Sequence, residues 1–362
     1  MALRRLLAAA KTLAKPPVTA ALLGSGYYRW QTRRLPGGRA VILLYHHVTP
    51  RAGAAPATWA PFQRGVYVER FERHMRFVRT RMTPVPLRDV VDAVQGRGTL
   101  PPRAVAVTFD DGYLDNFVTA YPVLRRWDIP ATVFVSTAFV ETSAAFWWDE
   151  VYAMLRATPL RALEAGHEPV PGLNGSAPGR RPLRTPAERA GAADAVIEAV
   201  RALSAGERAG ALARLRVRLQ VAEGALAGAS PMMTWAQLRE MSRHGVAVES
   251  HTHTHPILGR TDADGVVEEL TVSKRLLEAN VGAAVQGLAY PDGRPGTYDA
   301  GTIQRARAAG YRFACIAAPR PVAPGVDPYT IGRLPLGNTR TPAFVRDLLH
   351  VYAAAGEGSA AR

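Results

Sequence analysis

The sequence predicts an α/β fold in which seven short strands form a barrel and helices surround it. Short apolar runs alternate with segments of helical periodicity, which is the order expected of parallel βα units. The predicted strands are 40–46, 104–109, 131–136, 246–250, 286–290, 311–317 and 329–334. The predicted helices cover about 70–80, 86–95, 114–127, 235–244, 263–280 and 299–309. Apolar residues make up 48% of the 362 residues, which is typical of a globular protein with a well-filled core.

Capping residues support some of these helix boundaries. Thr234 can cap the helix predicted to begin at 235, because a Thr side chain accepts a hydrogen bond from the first turn. Gly245 and Gly310 fall just past predicted helix ends, where the left-handed backbone favours Gly.

The stretch from about 150 to 230 breaks the alternation of strands and helices. It is rich in Ala and Arg and contains a Pro/Gly stretch at 169–186, followed by a helical stretch. We predict a helical insertion here, made of a flexible loop and one or two helices. The predicted domains are a basic amphipathic segment at 1–35, the barrel with its insertion at 36–345, and a helix end with a tail at 346–362.

The chain carries a formal net charge of +15, and nearly all of its basic residues are Arg. A basic surface can attract nucleic acid, an anionic membrane or an acidic polysaccharide. A genome biased towards Arg codons is the simpler explanation. Because the sequence has neither an aromatic and basic platform nor a helix-turn-helix pattern, we predict no nucleic-acid partner.

The N-terminal segment 1–35 begins with a short amphipathic pattern, in which Leu and Ala lie opposite Arg and Lys. Such a helix could lie on a membrane surface, dock on its own domain, or fray. As a signal peptide its apolar stretch is short and is interrupted by Lys11. We expect a protein that is cytoplasmic or peripheral to the inner membrane, with export left open.

Two adjacent carboxylates follow the strand at 104–109. Asp110 and Asp111 lie in the motif Thr-Phe-Asp-Asp-Gly at 108–112. Since successive side chains of a strand alternate, one carboxylate can bind a metal while its neighbour faces a substrate. Catalytic groups also collect at the carboxyl ends of the strands in parallel barrels. Taken alone, however, Asp-Asp-Gly is also a common turn or helix cap.

Three histidines follow the strand at 246–250, in the motif Ser-His-Thr-His-Thr-His-Pro at 250–256. Closely spaced imidazoles can converge on one zinc-like ion. His251 can pair with His255 if the strand runs into a turn, or with His253 if it stays extended. A solvated histidine-rich loop is the alternative.

A third group, Tyr45-His46-His47, ends the first predicted strand. A histidine at this position would share the barrel mouth with Asp110 and His251 if the barrel closes. A surface histidine, or a core histidine with its hydrogen bonds made, is the alternative.

These motifs together resemble carbohydrate esterase family 4, the polysaccharide deacetylases. The resemblance rests on TFDDG followed by H-[ST]-x-x-x-H-P, each after a strand, and covers roughly 40–140 and 232–335. It implies a distorted (β/α)7-type barrel with a helical insertion, and a metal-dependent hydrolase that removes N-acetyl groups from amino sugars.

Three weaker motifs are most similar to the branch that contains poly-N-acetylglucosamine and exopolysaccharide deacetylases. They are YHHV at 45–48, LAYPDG at 288–293 and IGRLPL at 331–336. The partner that the resemblance implies is therefore an N-acetylated glycan.

The resemblance also implies roles for individual residues. Asp110 matches the general base that activates water. The metal ligands that it implies are Asp111, His251 and His255. Tyr290 and Pro291 match the motif that lines the substrate groove. The implied cofactor is a divalent metal, zinc first, with cobalt and nickel as alternatives because the same donor set accepts all three.

Two roles remain open at the level of sequence. In the branch with an N-terminal Tyr-His motif the general acid is the histidine near the first strand, here His46, with His47 and His350 as alternatives. The Arg that orients the base in many members is missing from the third motif, at 289–292. Arg294 or Arg333 could take its place.

Two other functions compete with this interpretation. An amidohydrolase-type metal barrel would use His251 and His253 as its first ligands, although in that superfamily the pair normally lies on the first strand. A non-catalytic barrel that binds glycans is the second alternative.

Overall fold

The structure is a computed structural model that describes residues 30, 32–50, 65–163, 181–222, 231–337 and 339–354. These residues form two compact units. The larger, which we call the barrel unit, comprises the described residues of Met1–Pro50, Arg64–Thr137 and Ala236–Arg362. The smaller, the insertion unit, comprises those of Ala138–Trp235.

Strands and helices are numbered separately in chain order. The strands are β1 Ala40–Tyr45, β2 His47–Thr49, β3 Gly65–Tyr67, β4 Thr83–Pro84, β5 Ala104–Phe109, β6 Ala131–Val135, β7 Ala162–Leu163, β8 Arg181–Pro182, β9 Val246–Ser250, β10 Gly287–Ala289, β11 Phe313–Ile316, β12 Ile331–Gly332 and β13 Leu334–Pro335. The helices are α1 Val68–Arg81, α2 Leu87–Val94, α3 Tyr121–Trp127, α4 Trp147–Ala157, α5 Pro186–Val200, α6 Ala205–Arg218, α7 Trp235–Arg243, α8 Ala263–Val281, α9 Ala300–Ala308 and α10 Thr341–Ala354.

The sheet of the barrel unit is parallel and nearly closed, with the strand order β12-β11-β10-β9-β6-β5-β1-β13. β12 and β13 are two parts of one stretch, 331–335, which pairs with β11 on one side and with β1 on the other. This stretch is therefore the seventh barrel strand. β1 and β5 are buried along their whole length, because both faces of a closed parallel sheet are covered. The predicted distorted (β/α)7-type barrel is confirmed.

Two predicted elements are divided in the structure. The strand predicted at 329–334 is interrupted at Arg333, between β12 and β13. The helix predicted at 114–127 is interrupted by a π turn, Asn116–Ala120, which is followed by α3. Pro122 lies at the start of α3. Proline has no N–H to donate and its ring crowds the preceding turn, which accounts for the wider turn there.

The insertion unit consists of α4, α5 and α6 with a short antiparallel pair, β7 and β8. α5 and α6 each begin with a capping box, formed by Thr185 with Glu188 and by Ser204 with Glu207. The three helices pack around an apolar core that includes Val151, Leu155, Leu183, Val196, Val200, Leu212, Leu215 and Leu219. The predicted helical insertion is thus confirmed. The loop predicted for the Pro/Gly stretch at 169–186 lies mostly outside the described residues, and the exact domain boundaries stay predictions.

The N-terminal amphipathic pattern and the C-terminal tail fall largely outside the described residues, at 1–29 and 355–362. The membrane contact predicted for the N-terminal segment stays a prediction for that reason. Within the part of the chain that the structure describes, no helix combines the length and apolar character needed to cross a bilayer.

Candidate active site and metal centre

The candidate residues follow directly on the carboxyl ends of the barrel strands. The backbone N–H of Asp110 donates to the carbonyl of Tyr45 (3.0 Å), which extends the β1–β5 pairing by one step. The N–H of His251 donates to the carbonyl of Val135 (2.9 Å) in the same way beyond β6 and β9. The two motifs therefore lie at one rim of the barrel, where parallel strands end together.

Asp111, His251 and His255 form a group that could hold a metal ion, with one ligand atom from each lying within 4.8 Å of the others. Asp111 Oδ1 lies 3.4 Å from His251 Nε2 and 3.5 Å from His255 Nε2. This oxygen is buried and makes no hydrogen bond. A buried carboxylate oxygen without a donor, facing two imidazole nitrogens, fits a cation bound between them.

The orientation of the His251 ring is fixed by its second nitrogen. Nδ1 donates to the carbonyl of Ala289 at 2.7 Å, so Nε2 is directed at Asp111. A hydrogen bond of this kind from the outer nitrogen is usual for metal-binding histidines. Burial, followed by the positive charge of His251, lowers the pKa of His255 to about 3. His255 is therefore a neutral imidazole, the form that binds metals.

Asp110 is held by a buried bidentate ion pair. Arg333 donates from Nη1 and Nη2 to the two carboxylate oxygens at 2.6 and 2.7 Å, and its side chain is fully buried. Burial raises the pKa of Asp110, but the charge and hydrogen bonds of Arg333, with the charges of His251 and His46, outweigh it and the pKa is lowered. Asp110 is thus an ionised carboxylate with a fixed orientation.

A family model described as Polysaccharide deacetylase matches residues 97–167 and 217–314, which include both rim motifs. Over these residues the chain carries a polysaccharide deacetylase domain. The predicted family is therefore confirmed.

The curated relative YxkH of Bacillus subtilis (strain 168), named as a polysaccharide deacetylase, is 36% identical over 67 residues. The aligned stretch covers 18% of this chain and 24% of that relative. This similarity is therefore local and does not extend to the whole of either protein.

Solved deacetylase structures share the fold over most of the chain. The deacetylase PplD of Streptococcus pyogenes, in complex with acetate, is 18% identical with a TM-score of 0.55, and the match covers 87% of this chain and 99% of that one. IcaB from Ammonifex degensii is 19% identical with a TM-score of 0.54, over 87% and 97% of the two chains. At these identities the similarity is evidence for the fold alone.

The backbone of the rim is strained at residues that carry the family motifs. Positive φ angles occur at Asp111 (77°), Thr252 (69°), His255 (60°) and Asp292 (64°). Residues other than Gly rarely adopt positive φ angles, and such backbone strain concentrates at functional sites. At Gly112 (φ 91°) an added Cβ would lie 3.1 Å from Val135, so the turn after Asp111 also needs Gly for space.

Buried polar side chains hold these strained loops together. Ser136 donates from its hydroxyl to the carbonyl of His251 (2.9 Å), and its N–H lies 3.4 Å from the carbonyl of Asp111. Glu269 of α8 accepts the backbone N–H groups of His253 and Thr254, each at 2.7 Å. Neither Ser136 nor Glu269 was foreseen, because nothing in the local sequence indicates which loop they face.

Three further candidate histidines, His253, His47 and His350, lie outside the metal group. His253 Nδ1 shares a hydrogen bond with the Thr137 hydroxyl at 2.8 Å, so the 251/255 pair, not the 251/253 pair, meets Asp111. His47 Nδ1 donates to Asp115 at 2.7 Å. His350 is exposed on α10.

His46 is buried and close enough to both rim carboxylates that a positive charge on it lowers the pKa of each. Arg294 forms a bidentate pair with Asp292 (2.6 and 3.1 Å), which leaves Arg333 as the partner of Asp110. The sequence left Arg294 and Arg333 as equal candidates; the position of Arg333 inside the apolar IGRLPL stretch is a signal that could have favoured it.

Tyr290 and Pro291 are both buried. The Tyr290 ring stacks on Tyr298 with 4.6 Å between ring centroids. Burial raises the pKa of its hydroxyl well above the usual range. Direct contact of these two side chains with a glycan stays a prediction.

Proposed function

We propose that this protein is a metal-dependent hydrolase that removes N-acetyl groups from the amino sugars of a polysaccharide or glycan precursor. The observation that carries the proposal is the pairing of two sites at one rim. One is the Asp111–His251–His255 group, and the other is the ionised Asp110 held by Arg333. The first can hold a metal ion and the second can accept a proton.

In this proposal Asp111, His251 and His255 would hold a divalent ion. Zinc fits this set of two nitrogens and one oxygen, and cobalt and nickel remain alternatives. When bound, the ion would polarise the acetamide carbonyl and acidify water.

Asp110 accepts the proton of the attacking water as the new bond to the acetyl carbon forms. Its lowered pKa keeps it ionised at neutral pH, and the two hydrogen bonds from Arg333 fix the direction of its oxygens. Arg333 is therefore a positioning residue for the base, in the place where many family members use another Arg.

His46 donates a proton to the nitrogen of the departing amino sugar when the C–N bond breaks. An amide nitrogen is a poor leaving group unless it is protonated. The electrostatic effect of His46 on both rim carboxylates supports this role. The products are acetate and a free amine on the sugar.

The family and the weaker motifs at 45–48, 288–293 and 331–336 support the proposed substrate class. They favour poly-N-acetylglucosamine or a related exopolysaccharide. The similar solved structures include a de-N-acetylase from Aggregatibacter actinomycetemcomitans. The amidohydrolase alternative is weakened, because His253 is engaged with Thr137 and lies outside the metal group.

The proposal is tested by metal content and by acetate release from N-acetylglucosamine oligomers. Asp110→Asn should retain metal and lose about 10²–10⁴-fold in rate, the usual contribution of a general base. His251→Ala and His255→Ala should lose both metal and activity, and His253→Ala is the matched control that keeps both. Bound metal in the wild type without acetate release from any acetylated glycan would favour the glycan-binding alternative.

A further inference from the structure

A buried hydrogen-bond network connects the end of β1 with the loop after β5. The Asn116 amide donates from Nδ2 to the carbonyl of His46 (2.7 Å) and to Asp115 Oδ1 (2.9 Å). The other oxygen of Asp115 accepts from His47 Nδ1 at 2.7 Å. One amide and one carboxylate thus tie both histidines of the Tyr-His-His motif to the segment that follows Asp-Asp-Gly.

The direction of the Asn116 amide is set by this network. Its nitrogen faces two oxygen acceptors, while its Oδ1 is buried and makes no hydrogen bond. The flipped amide would place Oδ1 against both acceptors, so this orientation is the favourable one. A buried acceptor left without a donor costs about 1–3 kcal/mol, and such a cost in a native structure calls for an explanation.

The local backbone brings these groups to β1. Asn116 is the first residue of the π turn, a geometry that is rare and frequently found at functional sites. The His47 ring stacks on Tyr113, with 3.7 Å between ring centroids. His47 is therefore part of the scaffold, whereas His46 is the histidine whose charge acts on both rim carboxylates.

We propose that Asn116 and Asp115 form a clamp that positions His46 for proton donation, a role that rests on the proposed function. The clamp acts through the backbone: Asn116 fixes the carbonyl of His46, and the Cα of that residue sets where the imidazole can reach. Asp115 holds the amide in its donating orientation and ties His47 to the same point. Both are positioning residues, because in this proposal they act through His46 and not by contact with the substrate.

A misplacement of about 1 Å in a catalytic group can cost about 100-fold in rate. The clamp therefore predicts a selective defect in Asn116→Ala. Release of acetate from N-acetylglucosamine oligomers should fall roughly 10- to 100-fold in kcat with KM within about twofold. Hydrolysis of 4-nitrophenyl acetate should change less than about twofold, because nitrophenolate leaves without a proton from an acid. Metal content should be unchanged.

Asn280→Ala is the matched control, since the Asn280 amide also donates to a backbone carbonyl, that of Leu276 at 2.8 Å. It should affect neither substrate. Asp115→Asn is the second variant, to be used if Asn116→Ala does not fold. It keeps the side-chain volume, disturbs the bond to His47, and should show a smaller defect with the same preference for the amide substrate.

Histidine side-chain NMR gives a readout that does not depend on activity, with the His46 signal assigned by its absence in His46→Gln. Asn116→Ala should shift the His46 signal and leave that of His253 in place. An equal loss on the amide and ester substrates, or an unmoved His46 signal, overturns the clamp. If the wild type releases acetate from no glycan, the proposed function fails, and the NMR comparison alone decides whether Asn116 positions His46.

Discussion

The barrel unit and the insertion unit differ in which side chains fill their interiors. Charged groups are buried at the barrel rim, where Asp110, Asp111, His251 and Arg333 are each at most 3% exposed. The insertion unit packs aliphatic and aromatic side chains of α4–α6 and caps its helices with exposed side chains. Its buried polar residues, among those described, are Asp149, Thr158 and Arg208.

This difference shows that the barrel rim buries charged groups that are costly to stability but needed for the proposed reaction. A buried charge is tolerated only when it is paired and hydrogen-bonded, so each rim residue depends on its neighbours. Apolar packing is less demanding, because many arrangements of similar volume are stable. We therefore expect the barrel unit to respond sharply to single polar substitutions and to pH, and the insertion unit to respond weakly.

The largest effect is expected from Arg333→Met, which leaves Asp110 buried without its partner. Removing one member of a buried pair typically costs about 3–5 kcal/mol in the free energy of unfolding. Urea unfolding, with hydrogen exchange of β5 as the local readout, measures this cost. Activity should fall as well, because the base loses its fixed orientation.

The double variant Asp110→Asn with Arg333→Met is the control for this prediction. It removes both charges, so it should recover much of the lost stability without recovering activity. If Arg333→Met alone lowers the free energy of unfolding by less than about 1 kcal/mol, the contrast between the two units is wrong.

Local sequence was sufficient to locate the seven barrel strands and the residues that follow them, whereas the short strands β2, β3, β4, β7 and β8 were not predicted. Apolar runs ending in Asp-Asp-Gly and in His-Thr-His-Thr-His gave β5, β9 and the rim positions, since parallel strands end on the same side. The turn that brings His255 and not His253 to Asp111 depends on a positive φ at Thr252, which Thr seldom adopts and sequence does not indicate.

Contacts between distant segments could not be predicted in the same way. Arg333 was one of two candidates, and only the closure of the sheet by 331–335 places it against Asp110. Pro122 could have indicated an irregular helix at 114–127, but the sequence analysis predicted a continuous one. The position of Asn116 against His46, 70 residues away, needed the folded barrel.

A smaller effect is expected from pH through His74, which is buried in the barrel unit between Tyr45 and Thr339. Burial lowers the pKa of His74 to about 4, the backbone hydrogen bond to Thr339 opposes this, and the charges of Arg70 and Arg73 add to the lowering. Well above pH 6.5 the histidine is neutral in both the folded and the unfolded chain, so it has no effect on stability there.

As pH falls from 6.5 to 4, the unfolded chain takes up the proton and the folded chain does not. Stability should therefore fall by up to about 3 kcal/mol from this group. The measurement is the difference in unfolding free energy between pH 7 and pH 4, compared in the wild type and in His74→Gln. An equal pH dependence in the two proteins would show that His74 is not the group responsible.

The smallest effect is expected in the insertion unit, from Thr185→Ala. Thr185 accepts the N–H of Glu188 (3.2 Å) and the Glu188 carboxylate accepts the N–H of Thr185 (3.0 Å), on an exposed helix start. Loss of such a cap typically costs about 1 kcal/mol. Hydrogen exchange in α5 should speed up about fivefold, while exchange in β5 and metal content stay unchanged, because the three proposed ligands belong to the barrel unit.

Ser204→Ala at the start of α6 should behave alike, since it removes the same kind of cap. If either variant lowered the metal content, a change in the insertion unit would affect the metal group. The contrast between the two units would then be wrong.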